Sequence, residues 1–226
     1  MRFLFFILFF LLVPPIHSQK DTFKKPNYKR IKRNVKKKSS DLNYVVLYKK
    51  FTSLHSKMTL EEKRHLYYGF VFQKKYNPFG FSKYHDSLRL YTRKKDLKKN
   101  IPKMLVFSEH ILSKNPFNIE VLTYKAYLLR KNNDMEAYKI TKKQIRIIYD
   151  AIKSSGDGLS KKSAFHVIFR NHKSDLLKHK NLKFNGTRKT IDKYRVEYLN
   201  VEQNKNKIRG LYFNVSAFKI NLKSKR

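Results

Sequence analysis

The sequence predicts an α+β fold in which N-terminal helical hairpins pack against a small C-terminal antiparallel sheet. Between residues 42 and 153, apolar side chains recur every three or four positions, which is the spacing of an amphipathic helix. After Gly158 the period shortens to about two, in short runs rich in β-branched and aromatic residues. Helices and strands are therefore segregated along the chain, as in α+β proteins.

The N-terminus has the pattern of a signal peptide. Arg2 supplies a positive charge, residues 3–13 are apolar throughout, and Pro14 and Pro15 end the run. Eleven residues are too few for a transmembrane helix, which needs about 20. We expect cleavage between Ser18 and Gln19, and an exported product that is periplasmic or secreted and has no transmembrane span.

A strongly basic segment follows the leader. Residues 19–40 are rich in Lys and Arg and have little periodicity, so we expect a flexible basic tail. The whole chain has 53 Lys plus Arg against 16 Asp plus Glu, a formal net charge of +37. Two explanations stay open: an anionic partner, or the Lys-rich composition that A/T-rich codons produce. The second is favoured because Lys outnumbers Arg by 40 to 13, whereas bidentate phosphate recognition favours Arg.

Two helices are predicted at the start of the ordered chain. Asp41 is a plausible N-cap for a helix over 42–54, and Thr59 with Glu62 forms a capping-box pattern that opens a helix over 60–73. Residues 81–100 are too polar to assign.

Three further helices are predicted over 101–113, 119–132 and 134–153, separated by Asn115-Pro116 and by Asn132-Asn133-Asp134. A turn at residues 155–158 ends the helical region. Strand-like runs follow at 164–169, 194–198 and 210–215, with a short helix at 173–178.

The segment from Asn115 to Tyr138 has the features of one tetratricopeptide-type unit. Leu122 and Ala126 face the partner helix, and Asp134 with Ala137 stands at the following turn. A solenoid needs about three such repeats to bury its faces, and only one is clear. We therefore expect the helical region, 41–153, to share one domain with an α+β region, 154–226.

Several short motifs resemble an exported bacterial family known as domain of unknown function 4919. They are LYYGFVF at 66–72, YNP at 76–78, NPF at 115–117, SGDG at 155–158, AFHVI at 164–168 and LYFNV at 211–215. The resemblance covers about 41–218. It implies export and an α+β fold, and it implies no activity.

The sequence contains no motif for catalysis or for a cofactor. Without cysteine there is no disulfide, thiolate zinc site or Cys nucleophile, and the histidines form no HExxH pattern. We expect no cofactor and no metal site, and the absence of a catalytic motif favours a protein that is not an enzyme.

A few residues are candidates for ligand contact, each with a structural alternative. Tyr67, Tyr68 and Tyr76 could stack on a sugar or peptide, or belong to the core. Asp157 could help its turn to bind an anion, or only shape that turn. His166 could be a ligand or base, or a core histidine.

Two functional hypotheses follow. In the first, the chain is an exported, non-enzymatic module that binds a protein or envelope component, with a peptide in the groove of the helix pair. In the second, it binds a polyanion, lipopolysaccharide or nucleic acid, through its basic tail and surface. Scattered Lys and scarce Arg predict that any such anion binding is weak and non-specific.

Overall fold

The computed structural model describes residues 23–79, 82–92, 97–192 and 195–220. Its helices are α1 (Tyr28–Lys36), α2 (Tyr44–Thr52), α3 (Leu60–Gly69), α4 (Tyr84–Thr92), α5 (Leu97–Lys114), α6 (Ile119–Lys131), α7 (Met135–Lys153) and α8 (His172–His179). Its strands are β1 (Phe165–His166), β2 (Phe184–Asp192), β3 (Val196–Val201) and β4 (Gly210–Asn214). The predicted α+β class is confirmed.

The four strands form one mixed sheet in the order β1-β4-β3-β2. β2, β3 and β4 pair antiparallel, whereas the two-residue β1 pairs parallel to β4. The parallel pairing is possible because α8 and the β2–β3 hairpin together form the long crossover that parallel neighbours require. β2 has no predicted counterpart, since its residues 184–191 are all exposed and show no apolar alternation.

Local capping accounts for several helix boundaries. The capping box of α3 is present: Thr59 Oγ1 accepts from the Glu62 amide at 3.2 Å, and Glu62 accepts from the Thr59 amide at 2.7 Å. Asp41 is not the cap of α2. Asn43 takes that place, because its side chain accepts from the Val45 amide.

Residues 28–36 of the basic segment before α2 form the helix α1, which corrects the expectation of a flexible tail for that part of 19–40. Asn27 caps α1, and Ile31 and Val35, four residues apart, are both buried. The α3 backbone at Gly69 lies directly against the Val35 side chain of α1: a Cβ at Gly69 would lie 2.7 Å from Cγ1 of Val35. In the sequence, Ile31 and Val35 are difficult to recognise as the apolar face of a helix because Lys and Arg surround them.

One hydrophobic core joins the helices to the sheet. It extends from Ile31 in α1 to Phe218 after β4 and includes Phe165 and Phe213 of the sheet. Gly158, at the turn before β1, has φ +77°, and a Cβ there would lie 2.5 Å from the Phe165 ring. In the residues described, no helix has both the length and the apolar composition needed to cross a lipid bilayer.

Candidate functional site

The three tyrosines that the sequence offers for stacking are buried in the core. Their hydroxyls bind the backbone beside β1: Tyr67 accepts from the Ile168 amide, Tyr68 donates to the His166 carbonyl, and Tyr76 donates to the Ile168 carbonyl at 2.6 Å. β1 pairs with β4 along one edge. Along its other edge, these hydroxyls make the hydrogen bonds that a neighbouring strand would otherwise make. Their ring faces are packed inside the protein and are closed to a ligand.

His172 completes this buried network, and the sequence had not singled it out. Its Nε2 lies 2.8 Å from the Phe117 carbonyl, which can only accept, so Nε2 carries the proton. Nδ1 therefore accepts from the Tyr67 hydroxyl at 2.6 Å. Burial lowers the pKa of His172 to about 4, which keeps the ring neutral. With both nitrogens bonded, His172 has no free group to offer a substrate.

His166 lies inside the protein, and Asp157 is half-buried in a turn. His166 is buried, and its Nδ1 has no hydrogen-bond partner among the described residues. Burial, with the charges of Lys25 and Arg64, lowers its pKa to about 4. Asp157 accepts from the Leu159 amide and the Ser163 hydroxyl, so its carboxylate shapes the turn before β1.

The remaining predicted site, the cleavage point at Ser18 and Gln19, lies outside the described residues. Within the ranges given above, no group of three or more His, Asp or Glu is placed to hold a metal ion. The fold therefore brings the predicted tyrosines and His166 together around β1, with Asp157 in the turn before it, but inside the protein and not in an open site.

A different set of residues is brought together by α6 and α7. The two helices are joined by a short turn, and an open groove of about 530 Å³ lies along them, with His179 of α8 at its side. We call this concavity the helix-pair groove. Its lining residues are Thr123, Ala126, Tyr127, Arg130, Tyr138, Lys142, Ile145, Arg146, Tyr149, Asp150, Lys153 and His179.

Helical periodicity explains how α7 supplies most of this lining. Ile147, Ile148, Ala151 and Ile152 form its buried face. Lys142, Arg146, Tyr149 and Lys153 are spaced by four, three and four residues and so share the opposite face. This cationic stripe was readable in the sequence, but only its partner stripe on α6 makes it one side of a groove.

The groove is strongly electropositive. None of Arg130, Lys142, Arg146 and Lys153 forms an ion pair with a carboxylate that the structure describes. The single acid of the lining, Asp150, is neutralised from outside, because its Oδ2 lies 2.9 Å from Nζ of Lys63 on α3. Burial and the charges of Lys153 and Lys180 lower the pKa of His179.

Aromatic rings stand between these cations. Tyr149 stacks on the His179 ring at 4.0 Å between centroids, and its hydroxyl donates to the Asp175 carbonyl at 3.3 Å. Burial and the charge of Asp175 raise the pKa of Tyr149 to about 12. Tyr127 is 44% exposed and stacks on Tyr124. The groove therefore presents fixed rings as well as charges.

On the opposite face of the helix pair, the cation of the lining has a counter-charge. This face borders α2 and α5 and is lined partly by apolar side chains such as Leu112, Leu122 and Ile140. Its cation Lys125 lies 2.5 Å from Glu109 of α5. Of the two faces, only the helix-pair groove offers cations without a counter-charge.

These features define an α+β protein with a cationic, tyrosine-bearing groove on one helix pair. The family described as Domain of unknown function (DUF4919) matches residues 29–224, so the chain belongs to that family and the resemblance is confirmed. The match begins inside α1, in agreement with the packing of this helix on the domain. No curated protein and no solved structure matches the chain.

Proposed function

We propose that the protein is an exported, non-enzymatic binding protein that holds a protein or envelope component in the helix-pair groove. The observation that carries this proposal is the set of four unpaired cations beside one exposed and two half-buried tyrosine rings in one concavity. Charges without an internal partner gain interaction energy when a complementary ligand arrives, whereas those already paired must first be separated.

Two further features support the proposal. The signal-peptide pattern before Gln19 favours export. The helix pair that forms the groove is the unit with tetratricopeptide-like spacing, and grooves beside helices are a recurrent means of binding peptides. The buried network of Tyr67, Tyr68, Tyr76 and His172 is occupied by internal hydrogen bonds, which favours a binding role over catalysis.

Site-specific cross-linking in the producing cell tests this function. A photoreactive benzoylphenylalanine in place of Tyr127 should give a discrete cross-linked product. The matched control carries the same residue in place of Leu159, which is 57% exposed and lies outside the groove. The intact mass of the exported protein should correspond to a start at Gln19. Equal cross-linking at both positions, or a product that retains Met1, would contradict the proposal.

A second function, binding of a polyanionic surface, is favoured by α1. The helix carries Lys29, Lys32 and Lys36 among its five basic residues, and no acid occurs between residues 23 and 40. This face is convex and exposed, as a contact with an extended anionic surface requires. A salt titration of lipopolysaccharide or DNA binding tests it, because released counterions make such binding fall steeply with salt.

Deleting the segment is an unsuitable control, since Ile31 and Val35 belong to the core. Replacing the three lysines with Gln keeps the helix and removes their charge. An unchanged salt dependence in this variant would count against polyanion binding through α1.

A further inference from the structure

We infer that the ligand of the helix-pair groove is an acidic segment of a protein chain, bound in an extended conformation. This inference rests on the proposed function and names the chemistry of its partner. It follows from the dimensions of the groove, the identity of its cations and the signs of all charges that face it.

The dimensions fit a short peptide. Lys142 and Lys153 are eleven residues apart on α7, which corresponds to about 16 Å along the helix axis. An extended chain advances about 3.3 Å per residue, so about five residues span this distance. Side chains on alternate residues of such a segment point the same way, about 6.6 Å apart, close to the ~6 Å rise between Lys142 and Arg146.

The charges that line the helix-pair groove favour a ligand that carries carboxylates. Four cations face the groove, its one acid is held by Lys63, and the environment of His179 disfavours a further positive charge. Two of the four cations are Arg, in a chain with 40 Lys and 13 Arg. The guanidinium fork binds a carboxylate through two parallel hydrogen bonds, which adds geometric selection to the attraction.

The shape favours a peptide over the other anions of the cell. A membrane surface cannot enter a concavity between two helices, whereas an extended chain can. The half-buried rings of Tyr138 and Tyr149 offer contacts to the apolar parts of neighbouring side chains. A long nucleic acid would need a cationic track that continues beyond the ~16 Å of this stripe.

A second copy of the chain, or a segment of this chain outside the described residues, is not a suitable occupant. The net charge of +37 opposes self-association through a cationic groove. Outside the described residues, 1–22 contain two basic residues and one acid, 93–96 contain three basic residues and one acid, and 221–226 contain three basic residues and no acid, so none of these segments is acidic. The occupant must therefore come from another protein.

The test measures binding of fluorescein-labelled peptides to the full mature chain by fluorescence anisotropy. One peptide has eight residues with four Asp or Glu and one Phe, and its analogue carries Asn or Gln at the acidic positions. The acidic peptide should bind at least about tenfold more tightly than the analogue near physiological salt.

Charge reversal separates the groove from the overall charge. The variant Arg130→Glu with Arg146→Glu should weaken acidic-peptide binding by about thirtyfold or more. The matched control, Lys161→Glu with Lys162→Glu, changes the net charge equally at exposed positions outside the groove. It should weaken binding by about twofold or less.

Three results would overturn the inference. The first is equal binding of the acidic peptide and its analogue, and the second is an equal loss of peptide affinity in the two charge-reversal variants. The third is complete displacement of the acidic peptide by a single-stranded oligonucleotide or by anionic vesicles at matched charge. The proposed function is judged separately by the Tyr127 cross-link. A groove-specific cross-link without selectivity for acidic peptides would retain the binding role and reject this ligand.

Discussion

Two of the Tyr and His clusters in the described residues, one in the core and one in the helix-pair groove, use the same chemical groups differently. In the core, Tyr67 and His172 direct their polar atoms at each other and at the backbone, and their rings are enclosed. In the helix-pair groove, Tyr127 and Tyr149 hold ring surface beside unpaired cations. A cluster whose hydrogen bonds are complete stabilises the fold, whereas a cluster with unmatched charge is available to a ligand.

The largest difference between the two clusters is expected when one buried hydroxyl of the core cluster is removed. Tyr67→Phe leaves both the Ile168 amide and Nδ1 of His172 without a partner. We expect the free energy of unfolding to fall by about 3 kcal/mol, since each buried unsatisfied group costs about 1–3 kcal/mol. Urea denaturation measures this loss.

The matched control for that change is Tyr127→Phe, which removes a hydroxyl from a partly exposed ring in the groove. It should alter the free energy of unfolding by less than about 0.5 kcal/mol. If the two variants were equally stable, the hydroxyl network beside β1 would not have the structural role assigned to it.

Acid should reduce stability through the buried histidines. The folded-state pKa values of His166 and His172 lie at about 4, against a usual value near 6.5. Between these values the unfolded chain binds protons that the folded chain does not. The free energy of unfolding should therefore decrease as pH falls through this window, by about 3 kcal/mol for each histidine.

Asp175 acts in the opposite direction. Burial, with the charge of Glu120, raises its pKa to about 7, so between pH 7 and about 4 the folded chain binds a proton that the unfolded chain does not. The expected net loss is therefore close to that of one histidine. His166→Leu removes one titrating ring. The denaturation midpoint of this variant should therefore change less between pH 7 and pH 4 than that of the wild type. A variant with the wild-type pH profile would contradict the histidine assignment.

On the groove side, the expected effect is on affinity rather than stability. Tyr127→Ala should weaken binding of the acidic peptide by about fivefold, which is about 1 kcal/mol, through loss of ring contact. The free energy of unfolding should hardly change, because the side chain is 44% exposed. A loss of stability as large as that of Tyr67→Phe would place Tyr127 with the core cluster instead.

The smallest expected effect on stability concerns α1. Replacing Lys29, Lys32 and Lys36 with Gln removes three surface charges and should change the free energy of unfolding by less than about 0.5 kcal/mol. Peptide binding in the groove should be unaffected at physiological salt. A parallel loss of peptide binding would show that general charge, and not the groove, attracts the ligand.

Much of the architecture could be predicted from local signals. The Thr59–Glu62 capping box, the Asn118 cap and the apolar stripes of α6 and α7 place the starts of those helices within one residue of the observed positions, although α3 ends four residues before the predicted end. The change of period after Gly158 predicts the sheet. β2, α1 and α4 were not predicted because their many polar residues obscure the period of their few apolar side chains.

The candidate site was less accessible to prediction than the fold. Sequence alone determined the α+β class, most helix starts and the family, since caps and apolar periods depend on neighbours within one or two turns and the family motifs are short stretches of sequence. Only the tertiary structure decided that Tyr67 and Tyr76 bond to the backbone just after β1, whereas Tyr127 and Tyr149 line an open groove. Whether a tyrosine is buried or lines a groove depends on which distant elements pack over it, and this is decided only by the tertiary packing.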